Sequence, residues 1–385
     1  MGSHRRRALE RGAGWGSLLC LVVVQGGCGR GESRTGAARP SRSSERILFL
    51  SCAPTEALLA IASQRSDAAQ ARVWVVDMRP ERPLSQLIAE GREAGGPARW
   101  RPDGGAVVAS VVARDRGGEL HFADAREGWS SECLVRDASA WPMYPSWSPD
   151  GRQLAWLEMN VQRQTYIAVM DVGTRRVEHL ATTRAPSPPK WSPDGQWIAF
   201  SGFGDPNNAG LPADGTEPPA QVYVIAPDGT HERPVPGSQR LRSWRWSSPA
   251  ALISVVNGAN SDQLSAFTLD VRSGVRTTVT EGLDLSGPWS VDPGNPSWDA
   301  SGQRLLVVVG PAPTQSSQPD STGSITQVAL ADRSVRQLTT GAADSCPAWM
   351  GDGEHIAFVR DDEALWVMAT DGSDQRRVLG LRDLR

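Results

Sequence analysis

The chain has 385 residues and a net charge of −3, with 39% hydrophobic and 22% charged residues, a composition ordinary for a soluble globular protein. No basic stripe accompanies that charge, which argues against nucleic acid as a partner. Lys190 is the only lysine among the 40 basic side chains; the arginines are scattered, which reads as coding bias rather than as a binding surface.

Residues 1–28 have the layout of an export signal. Arg5, Arg6 and Arg7 form a basic start, the run from Ser17 to Val24 is apolar, and Gly26, Gly27 and Cys28 are small. The apolar run is too short for a membrane span that persists in the mature protein. Gly26-Gly27-Cys28-Gly29 resembles the cleavage and acylation site of bacterial lipoproteins, departing from it at Gln25, where that family has an apolar residue. The resemblance implies lipid on Cys28. Residues 29–45 contain almost nothing to bury and are expected to form a flexible tether.

From residue 46 onward one turn recurs. It is clearest at Trp147-Ser148-Pro149-Asp150-Gly151 and Trp191-Ser192-Pro193-Asp194-Gly195, with variants at Trp100, Trp298 and Trp349. A degenerate copy at 242–249 leaves open whether Trp244 or Trp246 holds the register, and a further copy places Cys52 where the others have Trp. Self-similarity at a period of 40 to 55 residues indicates a repeat architecture. In the unit 142–182, short strands are expected around Trp147, over 154–157, over 166–170 and over 176–180. Pro presets φ in the turn and Gly takes its left-handed position. Four short strands per unit predict an all-β closed propeller over 46–385, with seven blades, or six if a degenerate unit forms none.

The Trp-Ser-Pro-Asp-Gly turns, together with Ile198-Ala199-Phe200-Ser201 and Leu365-Trp366-Val367-Met368-Ala369-Thr370-Asp371-Gly372, resemble the WD40-like (PD40) repeats of TolB-type propellers. The tether is too short to be the α/β domain that precedes the propeller in TolB. The resemblance implies a protein-binding role in the cell envelope, without a cofactor; fold alone does not assign function.

Chemistry-bearing groups are sparse. His121, His179, His231 and His355 fall in four different units, and no Gly-x-Ser-x-Gly occurs. Asp205 and Asn207 open a segment resembling the start of a calcium loop, but Thr216 stands where the bidentate Glu belongs, so a polar loop with binding capacity is expected and no metal. Cys52 and Cys346 lie on first strands of units that become neighbours when a ring closes, and a disulfide between them would clasp it.

The long segments 202–220, 281–296 and 309–324 are expected on one face, since connections from second to third strand and from blade to blade share a side. Trp141, Tyr144 and Trp289 are read as extra aromatics in interblade connections, forming a platform for an envelope protein. The alternative is a glycan-binding or lyase-type propeller. Membrane contact is expected only through lipid.

Overall fold

A computed structural model describes residues 45–384 apart from 56, 66–68, 80–83, 114–116, 181–186, 203–219, 240, 242, 258–262, 286–288, 291–297, 311–322 and 341–342. Seven antiparallel sheets follow one another along the chain, each with its strands in sequence order. They span 45–91, 93–137, 140–180, 190–234, 243–284, 289–337 and 344–380, and form a seven-bladed propeller. Apart from short 3₁₀ turns at Ala125–Glu127 and Leu381–Asp383, no helix occurs among the described residues.

Burial explains why these sequences make strands of this kind. A blade is covered on both faces by its neighbours, so its second strand reads as a continuous apolar run instead of alternating. Ala106–Val112 of blade 2 is buried at every position. The fourth strands lie on the outer rim, and Ser334–Gln337 of blade 6 is exposed throughout.

The repeated turn works as its residues suggest. Ser148 Oγ donates to Asp150 Oδ1 at 2.6 Å and accepts from Gln153 N at 2.9 Å, while Gly151 takes φ +69°. Blade 4 repeats this with Ser192, Asp194, Trp197 and Gly195. In blade 6 the carboxylate has moved to the serine's position: Asp299 Oδ1 accepts from Gln303 N and Arg304 N.

In blades 2 to 5 the register tryptophan of the first strand ties its blade to the one before. The indole N–H of Trp100 donates to Ser51 O, Trp147 to Arg99 O, Trp191 to Ser146 O and Trp246 to Lys190 O, at 3.0–3.2 Å. Trp246 therefore holds the register in blade 5; Trp244 donates to Ser201 Oγ instead. Cys52 continues the series with its thiol directed to Ala348 O at 4.0 Å, across the seam between the last and first blades. Among the described residues that seam contains no exchanged strand. Ile47, Leu50, Leu59 and Ile61 pack against Ala348, Ala357, Val359 and Leu365, and Ile47 N donates to Asp362 O at 2.7 Å. In blade 6 the indole of Trp298 is buried and its N–H has no acceptor among the described residues.

Candidate functional site

In every blade the first strand is innermost and runs from the face bearing the second-to-third and interblade connections to the face bearing the Ser-Pro-Asp-Gly turns. Residues 203–219 and 311–322, with Asp205 and Asn207 among them, lie outside the described residues. Their flanking pairs Gly202–Gln221 and Val309–Ser324 close the second and third strands on the first of these faces.

The segment 281–296 departs from expectation. The fourth strand of blade 5 runs to Asp284, and Trp289–Ser290 already pairs with Val309 and Val308 as the start of blade 6. Pairing resumes at Trp298 with Leu305. The link between blades 5 and 6 therefore ends before Trp289; residues 291–297 lie outside the described residues.

The three singled-out aromatics are likewise strand residues, not connection residues. Trp141 and Tyr144 belong to the first strand of blade 3, Ala140–Trp147, and both are partly buried against that blade's core. Trp141 pairs with Met159 at the loop-bearing end; Trp289 pairs with Val309 at the corresponding end in blade 6. Tyr144 sits in a bulge with φ +52°, its N–H donating to Gly95 O at 3.0 Å. Its ring lies on Gly96, where a Cβ would come within 2.6 Å of the ring, so only glycine fits there.

At the opposite face a pocket of about 280 Å³ opens between the first strands of blades 3, 4 and 5, lined by Ser146, Lys190, Arg245 and the edges of Trp147, Trp191 and Trp246. Arg99, Ser146, Lys190 and Arg245 all occupy the position before the register residue. Lys190 Nζ donates to Trp244 O at 2.6 Å and stands 4.3 Å from the centre of that indole. Burial, and then the like charges of Arg99 and Arg245, push its pKa down to about 8. Sequence reasoning assigned this lysine to coding bias; its being the only one was the available signal.

One side-chain group has the make-up of a cation site. Glu119 and His121 are two apart on the third strand of blade 2 and share a face, and Cys133 pairs with His121 across to the fourth. One donor atom of each lies within 4.8 Å of the others, a carboxylate, imidazole and thiol set that zinc accepts. Arg136 already occupies Glu119 at 2.8 Å, and His121 Nε2 is 2.9 Å from the same carboxylate, so a cation entering there competes with a formed ion pair. Cross-strand register, not sequence spacing, brings the three together.

No disulfide joins the two seam cysteines. Cys346 lies three residues short of Trp349, whereas Cys52 occupies the register position itself, an offset of about 10 Å along the strands, beyond the reach of a disulfide. Cys346 instead points its thiol at Leu48 O, 3.4 Å away, and burial raises the Cys52 pKa. Cys28 lies outside the described residues. The histidines stand on the third strand of blade 2 (His121), the fourth of blade 3 (His179), the turn before Arg233 (His231) and the start of the second strand of blade 7 (His355), and none is on a first strand.

No protein-family model matches the chain, and neither does any curated protein. Among solved structures it is similar to the β-propeller domain of the Trilobed protease from Pyrococcus furiosus, at 10% identity over 89% of this chain and 98% of that one, TM-score 0.62. It is also similar to oligogalacturonate lyase from Vibrio parahaemolyticus, at 11% identity over 86% and 90% of the two chains, TM-score 0.58. TolB from Acinetobacter baumannii superimposes less well, at 18% identity over 80% and 67%, TM-score 0.45. Likeness at identities of 10–11% shows the β-propeller fold alone and no activity.

Proposed function

We propose that the chain is a noncatalytic binding module of the bacterial cell envelope, exported by residues 1–28, anchored through lipid on Cys28, and presenting its loop-bearing face to a protein partner. The observation that carries this reading is the placement of Trp141 and Trp289 at the loop-bearing ends of innermost strands, Trp289 paired with Val309 where the second strand of blade 6 ends. Rigid aromatics on a fixed strand lose little entropy on binding, and such residues dominate protein interfaces. The lyase-type alternative draws no support from the histidines, which stand away from the channel-lining strands.

Affinity capture from envelope extract tests the reading. Wild type should retain a partner that is lost from Trp141→Ala and Trp289→Ala and weakened when 203–219 is shortened to a tight turn, with melting temperatures nearly unchanged by the shortening. Capture that survives all three changes but fails when the Ser-Pro-Asp-Gly turns are altered would reverse the assignment of faces.

A further inference from the structure

Lys190, Arg99 and Arg245 bring three positive charges to equivalent positions of three first strands, close enough for the two guanidinium groups to act on the amine. Buried charges are ordinarily paired. Lys190 has no carboxylate partner among the described residues: its contacts are the carbonyl and ring of Trp244. Arg245 donates to two carbonyls, Asp299 O at 2.7 Å and Trp246 O at 3.1 Å. The carboxylate of Asp299 acts on Arg245 by charge, while it accepts its own hydrogen bonds from Arg304 at 3.0 Å and from the Ser301 hydroxyl at 2.7 Å. The pocket floor thus carries cationic groups whose hydrogen bonds go to neutral acceptors. Beside them the hydroxyl of Ser146, also lining the pocket, has no partner among the described residues. Lys190, desolvated with no counter-charge among the described residues, costs stability, and an anion entering the pocket would remove that cost.

We propose that this pocket, on the face opposite the loops, binds an oxyanion — a phosphate, sulfate or carboxylate group — on Lys190 and Arg245, with the Ser146 hydroxyl as a further donor. The site is independent of the protein-binding face proposed above, and its ligand is defined by charge and by hydrogen-bond acceptors. Trp147, Trp191 and Trp246 also line the pocket, giving an apolar wall for a group attached to the anion.

Two measurements on the full chain test this. In the first, melting temperature is followed while phosphate, sulfate or acetate replaces chloride at constant ionic strength. At least one of the three should raise it saturably, and the strongest identifies the anion class. Lys190→Met should weaken that anion about ten- to a hundredfold, the range for losing a charge-assisted hydrogen bond, and should itself melt no lower than wild type in chloride. In the second, the single lysine is turned to advantage. Acetylation of Lys190 by an amine-directed reagent is read on one peptide by mass spectrometry, and the binding anion should slow it where chloride does not. This arm uses wild type only, so it decides the matter even if Lys190→Met fails to fold. Equal acetylation rates in all four salts, or equal anion effects on wild type and Lys190→Met, would overturn the site and leave Lys190 as a packing residue of Trp244.

Discussion

If the indole hydrogen bonds between blades stabilise the ring, replacing Trp147 and Trp298 by Phe should have unequal costs. Both side chains are buried, at 8% and 6% exposure, so both lose comparable apolar area. Shrinking indole to phenyl removes contacts equivalent to one or two methylenes, about 1 kcal/mol. Trp147 additionally loses its bond to Arg99 O, and the carbonyl loses a buried donor, for a further loss of about 1–2 kcal/mol. Trp298 has no acceptor to lose among the described residues, and Phe there removes a buried N–H that lacks one. Trp147→Phe should therefore cost about 2–3 kcal/mol and Trp298→Phe about 1 kcal/mol or less. Full truncation, Trp147→Ala, should cost about 3–5 kcal/mol. Urea unfolding followed by far-ultraviolet circular dichroism, with reversibility established first, gives the comparison. Equal losses for the two Phe variants, or a larger loss at Trp298, would refute the idea that the interblade indole bonds contribute.

Other consequences follow from particular contacts. Asp344 is fully buried and held by Arg360 at 2.6 and 3.0 Å, so Arg360→Met should strand its carboxylate and cost about 3–5 kcal/mol by denaturant unfolding. The Arg126 hydrogen bond and charge hold Asp124 at about 2, below its ordinary 3.8; that stabilisation is complete above the ordinary value and disappears as pH falls from about 4 to about 2, so Asp124→Asn should flatten acid unfolding across that window. Cys133 is exposed whereas Cys346 is buried and Cys52 partly so; a thiol reagent should label Cys133 first in the folded protein, and reductant should leave the melting temperature unchanged. Trp141→Ala, at a partly buried site, should destabilise clearly less than Trp147→Ala.

The blades were legible because each sheet hangs on one turn whose residues have local mechanisms: Ser148 and Ser192 bond across the turn, and Gly151 and Gly195 take the left-handed position. Even the first unit, with Cys52 for Trp, is visible from its spacing. The first strands were harder. That of blade 3 contains Pro142 and Pro145 and a bulge between Met143 and Ser146, features tolerated on an edge strand but read in sequence as a connection. The same reason hid the start of blade 6, where seven residues separate Ser290 from Trp298. Contacts made by register, such as Glu119 with His121 and Cys133, carry no signature along the chain. Lys190 was conspicuous as the one lysine, yet only the convergence of three first strands shows what surrounds it.

The functional proposal turns on which face meets the partner, and hydrogen exchange on the captured complex measures that directly. Binding at the loop-bearing face should protect the peptides covering 140–144 and 289–290 and leave those covering 147–153 and 191–197 exchanging as in the free protein. Protection confined to the second pair of segments would contradict the account.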